Sequence, residues 1–227
     1  MKVFGKNVFN ELKSNVKSIK KVYLANNFND KEIVDFIRNN KISYSSMDIK
    51  AMDRMVEGKH QGIIIVVDDY EYADYKNMMN EKLVVMLDHL EDPHNFGAII
   101  RTCEAAGVKS IIIPKDRSVS VTETVMRTSS GALEYVDIAM VNNLVKVIDD
   151  FKNNGYFVYA ADMGGENYRQ VDFADKVLLV IGNEGHGISR LVRENCDQIL
   201  AIPQYGKINS LNASVAAAVL IYGIVNR

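Results

Sequence analysis

The sequence has little of what marks secreted, metal-binding or membrane proteins. It contains only two cysteines in 227 residues, Cys103 and Cys196. Both lie in apolar, helix-like stretches without a paired spacing, so we expect buried free thiols rather than a disulfide framework or a zinc site. The longest apolar runs, such as residues 63–67, are far shorter than the ~20 residues of a membrane span, and the N-terminus lacks the apolar core of a signal peptide. These absences predict a cytoplasmic protein with no metal and no membrane contact.

Two common glycine-rich loops are also missing. The apolar run that ends at Asp88 is followed by a turn with Pro93, and neither GxGxxG nor GxxxxGK[ST] appears there. These loops carry the backbone amides that hold a dinucleotide or a phosphate chain. An ordinary dinucleotide-binding fold or a phosphate-cradling loop is therefore disfavoured.

Charge is nearly balanced overall but unevenly distributed. The formal net charge is −2, which argues against a protein that coats nucleic acid indiscriminately. Residues 1–62 carry 12 Lys and Arg against 7 Asp and Glu, residues 63–75 carry 0 against 4, and residues 76–227 carry 15 against 18. A basic front segment of this kind fits a phosphate-binding module and an ordinary solvated surface equally well.

Apolar segments of strand length alternate with segments of helical period. The strand-like segments are residues 20–25, 61–67, 82–88, 110–114, 135–141, 156–162, 176–182 and 198–203. Helical patterns cover residues 30–40 and 142–155. Alternation of this kind, with nearly continuous apolar strands, predicts an α/β fold whose parallel sheet is covered on both faces.

The alternation lapses between Val67 and Leu83, in the acidic stretch DDYEYADYKNMMNEK. We place a domain boundary there. This predicts a small α/β domain over residues 1–70, a linker over 71–82 and a second domain over 83–227. A surface loop within one domain is the alternative interpretation.

Three segments of the second domain carry polar residues at the junction of a strand and a helix. In the first, LDHLEDPHNFGAIIRTCEAAG, a helix is expected to open near Asn95 and to end at Gly107. Asn95 fits a helix N-cap. Arg101 stands next to buried positions of that helix and is either a functional cation or a surface arginine.

In the second segment, VLLVIGNEGHGISRLVREN, a buried strand leads into a loop with Gly182, Gly185 and Gly187. Such a loop brings backbone close to a ligand or adopts positive φ. Glu184 within it would repel a phosphate, so a neutral or cationic ligand fits better.

In the third segment, ILAIPQYGKINSLNASVAAAVLIYGIVNR, Asn209, Ser210 and Asn212 precede an Ala- and Val-rich helix. These residues are either helix caps or site residues. The helix has small residues, such as Ala213 and Ala217, on one side, which predicts close packing against another element or a partner subunit.

Taken in order, DPHNFGAIIR, VIGNEGHGIS and IPQYGKINSLNASVAAAVLIY resemble the three signature motifs of the SpoU (TrmH) family of RNA ribose 2′-O-methyltransferases, within the SPOUT superfamily. The resemblance covers about residues 83–227. Residues 1–70 are similar to the small RNA-binding domain that precedes the catalytic domain in many members. The resemblance implies a parallel-sheet catalytic domain with a C-terminal trefoil knot.

The resemblance also implies a set of site residues. Gly182, Ile202 and Leu211 match positions that contact S-adenosyl-L-methionine. The catalytic positions match Asn95, Arg101, Glu184, Ser210 and Asn212. Arg101 is the family's candidate for handling the proton of the 2′-hydroxyl, although a guanidinium with a pKa above ~12 is a poor base without help from a substrate phosphate. It could instead orient the ribose and phosphate.

Partners and substrate are implied in the same way. Family members act as homodimers through the C-terminal helix, and the separate front domain favours large-subunit rRNA, with guanosine as a plausible target. The alternatives are a tRNA ribose 2′-O-methyltransferase, a catalytically silent RNA-binding protein, and a SPOUT enzyme that methylates a base nitrogen. Intact Arg101, Glu184 and Asn212 argue against the silent protein, and the pairing of NEGxG with SLNxS argues against the base methylase.

Overall fold

The computed structural model describes residues 1–56, 58–207 and 210–227. Its contacts divide the chain into two compact units. One comprises Met1–Glu71 with Thr122–Gly131, and the other comprises Tyr72–Val121 with Ala132–Arg227. The domain limits expected from the sequence, 1–70 and 83–227 with a linker over 71–82, stay predictions.

The front unit is built on a four-stranded sheet in the order β1-β4-β2-β3. Its strands are β1 (Lys2–Phe4), β2 (Ile19–Ala25), β3 (Tyr44–Met47) and β4 (Ile63–Val67). Its helices are α1 (Lys6–Leu12), α2 (Lys31–Asn39) and α3 (Ile49–Asp53), together with α5 (Glu123–Ser129) from later in the chain. Only β2 and β3 pair in parallel, and the other pairs are antiparallel.

Local sequence explains the elements that were expected here. Asp30 caps α2 by accepting a hydrogen bond from the Ile33 backbone N–H, and Ile33 and Ile37 are buried one turn apart. The expected strands at 20–25 and 61–67 are confirmed as β2 and β4. Strands β1 and β3 were missed because β1 has only three residues and YSSM of β3 carries no apolar run.

The second unit is a six-stranded sheet in the order β10-β8-β9-β5-β6-β7. The strands are β5 (Leu83–Asp88), β6 (Ser110–Pro114), β7 (Asp137–Val141), β8 (Phe157–Asn167), β9 (Val177–Gly182) and β10 (Gln198–Ala201). The helices are α4 (Pro93–Ala105), α6 (Leu144–Asn153), α7 (Arg190–Glu194) and α8 (Ala213–Val225). All neighbouring strands pair in parallel, which confirms the expected sheet.

The register of the two central strands positions the site. Every residue of β5 is buried, as are the first five of β9, because each central strand is covered on both faces. Leu83 pairs with Val177 and Asp88 pairs with Gly182. The carboxyl ends of β5 and β9 therefore lie side by side, and the loops that follow them emerge at one edge of the sheet.

The last helix, α8, packs against α4. Ala213, Ala217, Leu220, Ile221 and Ile224 are buried, so the small residues and several bulky ones face inward together. Val215, Tyr222 and Val225 stay exposed on the other side.

The thiols are free. Cys103 is buried within α4 and Cys196 is partly buried, and burial raises the pKa of each thiol to about 12. The described residues contain no group of His, Cys, Asp and Glu side chains arranged to hold a metal ion. Within those same residues, no helix is both long and apolar enough to cross a membrane.

Candidate active site

A cavity at the carboxyl edge of the six-stranded sheet is lined by β8, the loop after β9, the segment after β10 and α8. The cavity has a volume of about 390 Å³, within the range of small-molecule sites. Five of the eight residues expected at the site line it, namely Gly182, Glu184, Ile202, Ser210 and Leu211. They come from the second and third motifs, and the fold brings these two segments of the sequence together.

Gly182 is required by the loop that forms one wall. The backbones of Asn183 and Gly187 exchange hydrogen bonds of 2.9 and 3.0 Å, which folds the loop back on itself, and Gly187 has a φ of 66°. A Cβ on Gly182 would lie 2.5 Å from the Ile188 nitrogen and closer still to the Gly187 carbonyl carbon. Only glycine therefore allows this loop to close beside the end of β9.

A chain of side-chain hydrogen bonds joins the three motifs. Asn212 Nδ2 donates to Asn95 Oδ1 at 2.9 Å, and Asn95 Nδ2 donates to Glu184 Oε1 at 2.7 Å. Asn212 Oδ1 accepts in turn from Ser214, through N–H at 2.9 Å and Oγ at 2.6 Å. The amide orientations are fixed by this chain, because each amide donates in one direction and accepts in the other.

The interpretation of Asn95 as a helix cap is wrong. Asp92 caps α4 by accepting from the His94 N–H, and Pro93 takes the first helical position, where its missing N–H costs nothing. Asn95 is thereby turned inward, with only 8% of its surface exposed, and its side chain is free to bond across to Glu184 and Asn212. Asn212 does cap α8, while also donating to Asn95. The third member of the expected cluster, Asn209, lies outside the described residues.

Arg101 lies on the exposed side of α4 and does not line the cavity. It follows Asn95 by six residues, or about 9 Å along the helix axis. Across the described ranges its guanidinium makes no hydrogen bond or ion pair with another side chain. The structure thus leaves it available to a ligand.

The loop over residues 183–187, called the glycine loop below, is held by two residues that the sequence did not indicate, Asp88 and Asn183. Asp88, at 1% exposure, accepts from the Ser189 N–H at 2.6 Å and lies 2.6 Å from His89 Nδ1. Asn183 Nδ2 donates to the His89 carbonyl at 2.8 Å, and its Oδ1 accepts from Gly185 N–H at 2.8 Å. A polar residue at the end of a continuous apolar strand, as in LVVMLD, is the signal that could have identified Asp88.

Removal of the central amide should uncouple the motifs. If the chain catalyses the RNA methyl transfer that the motif resemblance implies, we expect Asn95→Ala to lower its rate about 10- to 100-fold, because the substitution leaves Glu184 and Asn212 without their shared partner. The measurement is single-turnover methyl transfer, with Thr102→Ala, on the same helix but bonded only to the Ala98 carbonyl, as the control. A rate within threefold of wild type for Asn95→Ala would contradict this role.

The architecture is that of SpoU-type methyltransferases of known structure. The SpoU methyltransferase AviRb from Streptomyces viridochromogenes, solved in complex with S-adenosylmethionine, superposes with a TM-score of 0.87 at 22% identity, covering 100% of this chain and 89% of that one. At that identity the likeness concerns the fold. The methyltransferase class is reinforced by the sequence comparisons.

The SpoU rRNA methylase family model matches residues 82–222, and the model for RNA 2′-O ribose methyltransferase substrate binding matches residues 2–73. A candidate TrmH-family tRNA/rRNA methyltransferase of Staphylococcus haemolyticus is 36% identical over 99% of this chain and 95% of its own length. A Bacillus subtilis relative of the same description is 37% identical over the same shares. The chain belongs to the SpoU (TrmH) methylase family and is an S-adenosylmethionine-dependent RNA methyltransferase.

Proposed function

We propose that this protein transfers a methyl group to a ribose 2′-hydroxyl of RNA. The observation that carries the proposal is the hydrogen-bond chain from Asn212 through Asn95 to Glu184, which ends on the wall of the cavity. A chain of neutral amides ending on a carboxylate suits the positioning of a neutral hydroxyl beside a cationic methyl donor. The match of residues 2–73 to a 2′-O ribose methyltransferase substrate-binding model supports the same chemistry.

The cavity fits S-adenosylmethionine by the chemistry of its lining. Gly182, whose missing Cβ lets the 183–187 loop close, lines the cavity together with Ile202 and Leu211. Such a lining suits an adenosine held by backbone and apolar side chains. Glu184 provides a negative charge that tolerates a sulfonium and disfavours a phosphate. When bound, the cofactor supplies an electrophilic methyl group.

The chain's own residues handle the nucleophile. A ribose hydroxyl is a poor nucleophile, so its proton must be removed or shared while its oxygen is held in line with the methyl carbon. Arg101 orients the ribose and its phosphate, and Asn95 and Glu184 position the target nucleotide. Ser210 and Asn212 shape the loop beside the transferred methyl.

We propose large-subunit rRNA as the substrate, with guanosine as the methylated nucleotide. A separate substrate-binding region at residues 2–73 supports a large, structured RNA. RNA of this kind is read by shape and by single-stranded bases rather than by a linear motif. The curated relatives carry the description tRNA/rRNA, so tRNA is the second candidate.

The proposal extends to topology and location. A C-terminal trefoil knot is supported by α8, which packs on α4 although β10 lies at the sheet edge. Free thiols at Cys103 and Cys196 suit a cytoplasmic protein.

A homodimer is proposed from the outer face of α8. Val215, Tyr222 and Val225 are 47%, 42% and 44% exposed and follow one another at spacings of seven and three residues, so they form one apolar stripe. We expect sedimentation equilibrium to give the mass of two 25.5 kDa chains, and Val215→Glu with Tyr222→Glu to give one. Tyr135→Glu, at a 65% exposed tyrosine elsewhere, is the control. A wild-type monomer at micromolar concentration would rule the dimer out.

The function is tested by the product. Labelled S-adenosylmethionine is incubated with the full chain and with unmodified rRNA or tRNA, and the RNA is digested with alkali and then to nucleosides. Alkali-resistant label in rRNA, recovered as 2′-O-methylguanosine, supports the proposal. Label in tRNA alone changes the substrate, label on a base changes the reaction, and cofactor binding without transfer indicates a silent RNA-binding protein.

A further inference from the structure

A second cavity adjoins the first across the glycine loop. It has a volume of about 200 Å³ and shares Asn183, His186 and Gly187 with the wall of the larger cavity. A group bound there would be separated from the methyl donor's cavity by one loop. None of the three family motifs accounts for the side chains on its far side.

Those side chains are ionisable and converge from separate loops. Asp88 ends β5, His89 and Glu91 come from the loop after it, and Arg117 comes from the loop after β6. His186 adds a fifth ionisable side chain from the wall that the two cavities share. The five residues therefore line one small space.

Two of these residues have a backbone conformation that non-glycine residues rarely adopt. His89 has a φ of 56° and Arg117 a φ of 47°, both in the left-handed region. A non-glycine residue in this region is strained and persists where the surrounding structure determines it, commonly at ligand sites.

The surrounding structure does hold both loops. His89 is fixed by Asp88 at its ring and by Asn183 at its carbonyl. The loop with Arg117 is tied to Leu90, whose carbonyl accepts from Ser118 Oγ at 3.1 Å and from Val119 N–H at 2.7 Å. The cavity is thus preorganised, and Glu91 and Arg117 are exposed at its rim.

The charged side chains that line this cavity indicate which kind of ligand it would bind. Two carboxylates, Asp88 and Glu91, disfavour a phosphate, and both oxygens of Asp88 are already engaged by His89 and Ser189. Glu91 is then the available acceptor and Arg117 the available donor. A flat group with adjacent N–H donors and a separate acceptor edge satisfies both.

We propose that this cavity is the subsite for the base of the target nucleotide and that it selects guanine. Guanine presents N1–H and N2–H₂ side by side, which a carboxylate accepts together, and its O6 and N7 accept from a guanidinium. Glu91 reads the first edge and Arg117 the second. Adenine lacks the paired donors and would leave Glu91 unsatisfied. This assignment rests on the proposed 2′-O-methyl transfer to guanosine and names the residues that recognise its base.

The test combines a protein variant with a substrate analogue. The full chain is assayed on an RNA fragment that carries the mapped target as guanosine or as inosine, which lacks only the 2-amino group. Wild type should lose about 10- to 100-fold in kcat/KM on inosine, because a site built to bond an N–H rejects the analogue without it. Glu91→Gln should lose a similar factor on guanosine, and its preference for guanosine over inosine should fall to within about threefold. Arg117→Ala should be slow on both.

Controls separate specificity from damage. Glu104→Gln, at an exposed carboxylate on α4 away from the cavity, should keep wild-type rates and preference. The Kd for S-adenosylmethionine should be unchanged in Glu91→Gln and Arg117→Ala, which shows that the neighbouring cavity is intact.

The outcomes distinguish a failure of the base subsite from a failure of the methyl-transfer reaction. A wild-type preference for guanosine over inosine in Glu91→Gln overturns the base subsite. Methylation of the ribose of an adenosine, cytidine or uridine overturns guanine while the methyl-transfer reaction stands. Failure of wild type to methylate any ribose removes the reaction and the subsite together.

Discussion

Replacement of Gly182 by alanine is expected to weaken binding of S-adenosylmethionine at least about 100-fold. The added Cβ would overlap the backbone of Gly187 and Ile188, and backbone cannot move aside as a side chain can. The 183–187 loop, which forms a wall of the cavity, would have to open and would lose the paired hydrogen bonds between Asn183 and Gly187. Isothermal titration calorimetry of the full chain with the cofactor measures the effect.

The matched control is Gly206→Ala, in the loop after β10. Among the residues that the structure describes, a Cβ on Gly206 meets nothing within 4 Å, and Gly206 does not line the cavity, so the same chemical change should leave the Kd unaltered. Circular dichroism should show that Gly182→Ala keeps its helices and strands, because the overlap involves only the last residue of β9 and the loop that follows it. Wild-type cofactor affinity in a folded Gly182→Ala protein would contradict the role of this glycine.

The pattern of apolar segments was sufficient to predict the sheet. All eight strand-like segments form strands, because each run had to be buried on at least one face and no helix competed for it. The short edge strands β1 and β3 were not predicted, since neither forms an apolar run of strand length and each is recognised only by its pairing with β4 or β2. That α5 belongs to the front unit could not be predicted, for a similar reason. Met126 packs in the front core and Arg127 lies 5.3 Å from the Phe4 ring, which are long-range contacts that no local pattern reveals.

The candidate site shows the same division between local and long-range information. The motifs predicted the identities of Asn95, Glu184 and Asn212, and the structure joins them across 89 and 117 residues of sequence. Their direction of hydrogen bonding could not be predicted, because it follows from Asp92 taking the cap of α4 and turning Asn95 inward. The second cavity depends on the left-handed backbones of His89 and Arg117, a conformation that is uncommon for non-glycine residues and that only the folded loops determine.

Substitution of Arg101 by alanine is expected to lower kcat for methyl transfer about 100- to 1000-fold, with the Kd for S-adenosylmethionine unchanged. In the part of the chain that the structure describes, Arg101 is exposed on α4, makes no side-chain ion pair and lies outside the cofactor cavity. Its loss should therefore act on the ribose and its phosphate rather than on the cofactor. Arg101→Lys should be intermediate, because an ammonium keeps the charge but cannot bond in a bidentate fork.

The pH dependence of kcat, compared between wild type and Arg101→Ala, then shows whether Arg101 orients the ribose or removes its proton. If Arg101 orients the ribose while water takes the proton, log kcat should rise with pH in wild type and in Arg101→Ala alike, at a constant ratio. If Arg101 accepts the proton, the variant should lose that slope. Lys109→Ala is the control, because Lys109 precedes β6 and lies at the amino edge of the sheet, opposite the site. A rate for Arg101→Ala within threefold of wild type would exclude both roles and would place the burden of catalysis on Glu184 and the amides that hold it.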